Sequence, residues 1–132
     1  MTMRRILVVE DSAATRSFVR SALEEGGHLE PFDIVEATSG FDALRLLPRG
    51  PYDLVITDIN MPDINGLELV QFIRKSDRHR STALIIISTQ SSEKDRARGL
   101  SLGADDYLAK PLDPEALLST VQRLLANRPA AG

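Results

Sequence analysis

The sequence contains no cysteine, which excludes disulfides, thiol nucleophiles and thiolate metal sites. It contains no tryptophan and only two histidines. His28 and His79 both fall in segments that read as loops, apart from each other, so no histidine pair is available for a metal or a triad. Neither sign of charge dominates: 16 Lys and Arg face 19 Asp and Glu, for a net charge of −3. No strong basic field therefore favours nucleic acid or anionic lipid. Long apolar runs are missing too. The longest, "ALIII" at 83–87, falls far short of the roughly 20 residues a membrane helix needs. The N-terminal "MTMRRILVVED" carries two arginines, but its apolar run stops at Glu10, too soon for a signal peptide. A cytoplasmic domain without membrane insertion is the expectation.

What is present is an alternation. A chain of 132 residues suits one domain with a real core. Short apolar, β-rich runs recur five times: Ile6 to Val9, Ile34 to Ala37, Leu54 to Thr57, Leu84 to Ser88 and Tyr107 to Ala109. "ILVV" and "LIII" are apolar throughout rather than alternating, as in strands covered on both faces. Between them lie helical patterns with their own punctuation. Ala14, Phe18, Val19, Ala22 and Leu23 line one face, closed by Gly26-Gly27. Ser39 with Asp42, Asn65 with Glu68, and Ser92 with Asp95 have the spacing of helix-capping pairs. Gly103 closes the fourth helix. Asp113 caps a fifth with Pro114 at its first position, where the missing N–H costs nothing. Leu117, Leu118, Val121, Leu124 and Leu125 give that helix a full apolar stripe.

Five strand–helix units in this length predict an α/β fold, (βα)5, with a parallel five-stranded sheet and helices on both faces. Right-handed crossovers leave few topologies, and the flavodoxin-like order 2-1-3-4-5 is the expectation. Residues 1–126 read as one domain and 127–132 as a flexible tail. The charge-rich "RKSDRHRST" reads as a solvated loop.

In that order the C-terminal ends of strands one and three flank the point where ligands bind in such sheets. The residues delivered there are Glu10 and Asp11, Asp58 and Asn60, Ser88 and Thr89, and Lys110. Each alone has an ordinary explanation: Asp11 complements a helix dipole, Asp58 starts a loop, Ser88 bonds to backbone, Lys110 is solvated. Together they place three carboxylates, a hydroxyl and an ammonium at one crevice. A carboxylate pair about 4 Å apart costs roughly 4 kcal/mol at an effective dielectric of about 20. Such a cluster must take up protons or hold a cation. Oxygen-only donors point to Mg2+, with Mn2+ as a substitute, rather than zinc. Lys110 and Ser88 then complete a phosphate site. Asp58 is the carboxylate best placed as a nucleophile, since aspartate can form an acyl phosphate.

Taken with their spacings, "ILVVED", "ITDINMPDINGLEL", "IIIST" and "GADDYLAKPL" resemble the receiver domain of two-component response regulators, over essentially the whole chain. The resemblance implies a single-domain, CheY-like phosphorylation switch. Asp58 would accept a phosphoryl group from a sensor histidine kinase or a histidine phosphotransfer protein. Asp11, Asp58 and the Asn60 backbone carbonyl would bind Mg2+, with Glu10 at the second acidic position. Ser88 and Lys110 would contact the phosphoryl group, and the Lys110–Pro111 bond would be cis. Ser88 and Tyr107 would act as the switch, Tyr107 turning inward on phosphorylation. Asn60 and Gln90 would tune hydrolysis. A downstream protein target would bind the face of the fourth helix, fifth strand and fifth helix, with no direct nucleic-acid contact. Glu10 stands where aspartate is commoner, and Ser88 where threonine is.

Two rival readings keep the same residues. A phosphohydrolase of the haloacid dehalogenase type also uses an aspartyl phosphate. Its nucleophile ends the first strand, however, and a second aspartate follows two residues later, where this chain has Asn60. A receiver-like scaffold would bind partners without being phosphorylated.

Overall fold

The computed structural model describes residues 3–26, 31–126 and 128–131. In chain order the elements are β1 (Arg5–Val9), α1 (Ala13–Glu24), β2 (Asp33–Ala37), α2 (Gly40–Leu46), a 3-10 turn (Leu47–Arg49), β3 (Leu54–Asp58), α3 (Gly66–Lys75), β4 (Ala83–Ser88), α4 (Glu93–Ser101), β5 (Asp106–Ala109) and α5 (Pro114–Ala126). All strand pairs are parallel, and the sheet order is β2-β1-β3-β4-β5, the flavodoxin-like order expected from the sequence.

Apolar strands are what this arrangement requires, because successive side chains enter different layers. Ile6 and Val8 of β1 pack with Val19 and Leu23 of α1 and with Leu117 and Val121 of α5. Leu7 and Val9 pack on the opposite side, with Ala43 of α2 and Leu69, Val70 and Ile73 of α3. Ile85, Ile86 and Ile87 of β4 are fully buried. Each such side chain stabilises by about 1.5–3 kcal/mol, which fixes β4 and hence where Ser88 emerges. The caps form as the spacing predicts. Ser39 accepts from Asp42 N–H, Ser92 accepts from Asp95 N–H, and Asn65 with Glu68 makes a reciprocal capping box. Gly103, just beyond α4, takes a positive φ of 123°.

The structure departs from the sequence reading in three places. Ala14 and Phe18 are exposed rather than buried, and Val19 and Leu23 carry the packing of α1. The charge-rich loop before β4 is not simply solvated. His79 is buried there, and Arg74 donates to the carbonyls of Gly103, Arg80 and Thr82 and to Asp105. Gly27 and His28 lie outside the described residues. Within the stretch read as a tail, Ala131 N–H donates to the buried Asp53 at 2.7 Å. Arg4 also bonds Asp53 and reaches the carbonyls of Leu125 and Arg128. This cluster closes the edge of the sheet opposite the acids. Among the described residues no helix is long and apolar enough to cross a membrane.

Candidate functional site

The parallel register brings the strand ends side by side. Val9 pairs with Thr57, Asp58 with Ile87, and Ser88 with Ala109. Glu10, Asp58, Ser88 and Lys110 therefore emerge along one edge. Glu10 is fully buried, Asp58 nearly so, and Asp11 lies on the open rim. One oxygen from each of Glu10, Asp11 and Asp58 lies within 4.8 Å of the others. Hard oxygen donors at this spacing, with no nitrogen or sulfur among them, fit a small divalent cation. Asn60 follows on an exposed turn, and no hydrogen bond among the described residues claims it.

Local hydrogen bonds aim these side chains. Glu10 Oε2 accepts from Ser12 N–H at 2.9 Å, and Asp58 Oδ1 accepts from Ile59 N–H at 2.8 Å. Lys110 Nζ lies 2.6 Å from Glu10 Oε1 and 3.4 Å from Asp58 Oδ2. The ammonium thus sits closer to Glu10 than to the expected phosphoacceptor, a contact the longer arm of glutamate makes possible. Burial pushes the Glu10 carboxyl above its ordinary range, against the Lys110 ammonium and Ser12 N–H; neighbouring Asp11 and Asp58 push the same way as burial. Burial works to lower the Lys110 pKa, but its bonds and charge contacts with Glu10 and Asp58 outweigh that and raise it. The raised Glu10 is first the cost of burying a carboxylate, which one lysine does not fully offset, and the neighbouring acids add to it.

Ser88 is buried, and its Oγ accepts from Gln90 N–H at 2.9 Å. Gln90 itself is exposed. The Lys110–Pro111 peptide is cis, as expected. Tyr107 is only 2% exposed, and its hydroxyl donates to the Gln90 carbonyl. The ring therefore lies inside in this structure. The ring fits because Gly99 of α4 has no side chain: a Cβ there would stand 2.9 Å from Tyr107 Cδ2 and 2.9 Å from Ile86 Cδ1.

Several residues around the site carry no local signal in the sequence. Arg96 of α4 donates to the Tyr107 carbonyl at 2.6 Å and to Asp106 at 3.1 Å, while Arg123 of α5 donates to the other Asp106 oxygen at 2.6 Å. Asp63, in the turn after Asp58, reaches back to the start of α2. A groove of about 470 Å³ runs beside Lys110, lined by Thr15, Phe18, Thr89, Pro111 and Leu112. The exposed Phe18 belongs to this groove rather than to the core.

Known proteins share this fold. The family described as response regulator receiver domain matches residues 6–122. A probable transcriptional regulatory protein of Picosynechococcus is 39% identical over 134 residues, covering 96% of this chain and 51% of that protein. The chain thus spans about half the length of the first curated relatives it matches. Protein PilH of Pseudomonas aeruginosa is 36% identical over 125 residues, covering 95% of this chain and 100% of that one. The solved chemotaxis response regulator CheY4 of Vibrio cholerae superposes with a TM-score of 0.84 at 33% identity, over 94% of this chain and 100% of that one.

Proposed function

We propose a function from one premise: the chain belongs to the response regulator receiver domain family of two-component systems. On that premise Asp58 accepts a phosphoryl group from a phosphohistidine. The donor is a sensor histidine kinase or a histidine phosphotransfer protein. An Asp58 carboxylate oxygen bonds to phosphorus as the phosphorus–nitrogen bond breaks. The electron pair stays on the imidazole nitrogen, which takes a proton from solvent. The observation that carries this reading is the cluster of Glu10, Asp11 and Asp58 with Lys110 Nζ 3.4 Å from Asp58 Oδ2, at the open edge of the sheet.

When bound by Asp11, Asp58 and the Asn60 carbonyl, with Glu10 alongside, Mg2+ supplies positive charge against the carboxylates and the phosphoryl oxygens. The transition state of phosphoryl transfer is loose, so the chain's own work is positioning and neutralisation. Lys110 pairs with one phosphoryl oxygen. Ser88 Oγ already accepts from Gln90 N–H, which leaves its proton to donate to another. Asn60 and Gln90, both exposed beside the site, govern how water approaches the acyl phosphate. Tyr107 links the site to the α4–β5–α5 face, where a protein target binds. Phosphorylation shifts a two-state equilibrium toward the form that holds the ring inside.

Incubation with acetyl phosphate and Mg2+, read by intact mass, tests the nucleophile. The wild-type chain gains one phosphoryl group and Asp58→Asn gains none. Equal labelling of both would discard Asp58. A wild-type chain that neither labels nor responds to Mg2+ or beryllofluoride would instead be a receiver-like scaffold.

A further inference from the structure

The turn from β3 to α3 is fastened at both ends. At its base Gly66 N–H donates to the Ile59 carbonyl at 2.9 Å. Toward its tip, the Asp63 carboxylate crosses to α2. One oxygen accepts from Gly40 N–H at 3.1 Å and the other from Phe41 N–H at 2.8 Å. These are first-turn donors that have no partner inside their own helix. Gly40 also lies directly on the turn: a Cβ there would stand 2.6 Å from both Ile64 Cβ and the Ile64 carbonyl oxygen. The Phe41 N–H bond, with the N–H groups of Ile64 and Gly40 and against slight burial, holds the Asp63 carboxyl down to about 2. Asp63 is therefore a carboxylate at every working pH. Between the two fastenings, Ile59 and Met61 are buried and Asn60 faces out.

We infer that Asp63 is a positioning residue for the cation site: by fastening the β3–α3 turn to α2, it holds the Asn60 backbone carbonyl where the acidic cluster needs its further ligand. This rests on reading that cluster as the Mg2+ site of a receiver. Mg2+ demands near-octahedral geometry, so a ligand free to wander costs affinity directly. The Asp63 side chain is exposed, while α2 is held in the core by Ala43 and Leu46. Losing the fastening thus loosens the turn and leaves the fold standing. It also makes α2 part of the site, although α2 contributes no ligand to it.

The test compares Asp63→Ala and Asp63→Asn with wild type in Mg2+ titrations followed by amide NMR shifts, with thermal melts alongside. Asp63→Ala is expected to raise the Mg2+ midpoint about tenfold, the low end for groups that orient metal ligands. Amide exchange at Gly40 and Phe41 should quicken. Asp63→Asn keeps an oxygen that can accept from Phe41 N–H, so it should recover most of the affinity. In acetyl phosphate labelling, Asp63→Ala should need more Mg2+ yet reach the wild-type maximal rate. A wild-type midpoint in Asp63→Ala would overturn the inference, as would an Asn variant no better than Ala. If wild type itself gives no Mg2+ response, the reading of the site fails and takes this inference with it; a normal wild-type response beside an unchanged Asp63→Ala midpoint removes Asp63 alone.

Discussion

Replacing Gly66 with alanine probes the tightest contact behind Asp58, the proposed phosphoacceptor. A Cβ on Gly66 would stand 2.0 Å from the Asp58 carbonyl oxygen, 2.9 Å from the Asp58 carbonyl carbon and 2.9 Å from Ile59 Cα. All three are backbone atoms, so no side-chain rotation relieves the overlap. The start of α3 and the end of β3 must part by more than an ångström to reach ordinary contact. Glycine to alanine inside a helix normally gains up to about 1 kcal/mol. Overpacking of this kind costs about 1–3 kcal/mol. The expected net loss is about 1–2 kcal/mol, or roughly 3–8 °C in Tm for a domain of this size. The effect on chemistry is larger, because moving a reacting group by about 1 Å costs about 100-fold in rate. Circular dichroism melts and a time course of acetyl phosphate labelling at saturating Mg2+ measure the two effects. A variant with a Tm at or above wild type and an undiminished rate would refute the steric argument, since helix propensity alone predicts that outcome.

Two further outcomes are expected. Lys110→Ala should still bind Mg2+, yet fail to transmit phosphorylation; NMR shifts around Tyr107 that match the phosphorylated wild type would remove Lys110 from the switch. His79 gives a pH dependence: burial, then the charge of Arg78, hold its imidazole below the ordinary 6.5. The native state therefore binds fewer protons than the unfolded chain near that pH. The stability owed to neutral His79 is complete above 6.5 and drains away as pH falls from there toward the depressed native value. Urea unfolding at about pH 8 and about pH 5.5 should show a drop in wild type that His79→Leu reduces; equal drops would place the effect elsewhere.

The strands and their order were legible because burial on both faces demands unbroken apolar runs, and "ILVV" and "LIII" supply them. The acids were legible because one parallel topology sends every strand's last residue to the same edge. Longer-range facts were not. Nothing near Asp63 announces that its partners are Gly40 and Phe41, more than 20 residues earlier. Helical spacing placed Phe18 with Val19 and Leu23, but spacing cannot tell that Phe18 lines an open groove beside Lys110. A polar loop composition hid His79, whose burial is set by packing rather than by its neighbours in sequence. The Glu10–Lys110 contact needed coordinates as well, because which of the crowded acids a lysine pairs with is set by distance and not by residue type.

Asp106 divides one carboxylate between two helices, and its other neighbour is the backbone of Tyr107. Both arginines that grip it are about half exposed. Ion pairs so wetted are worth less than about 1 kcal/mol each. Their value is therefore geometric: they tether α4 and α5 to the strand that bears the aromatic ring, and they release cheaply. Salt that screens these two pairs would loosen the tether while the buried strands stay in place, so the grip of both helices on β5 is set by the ions around it.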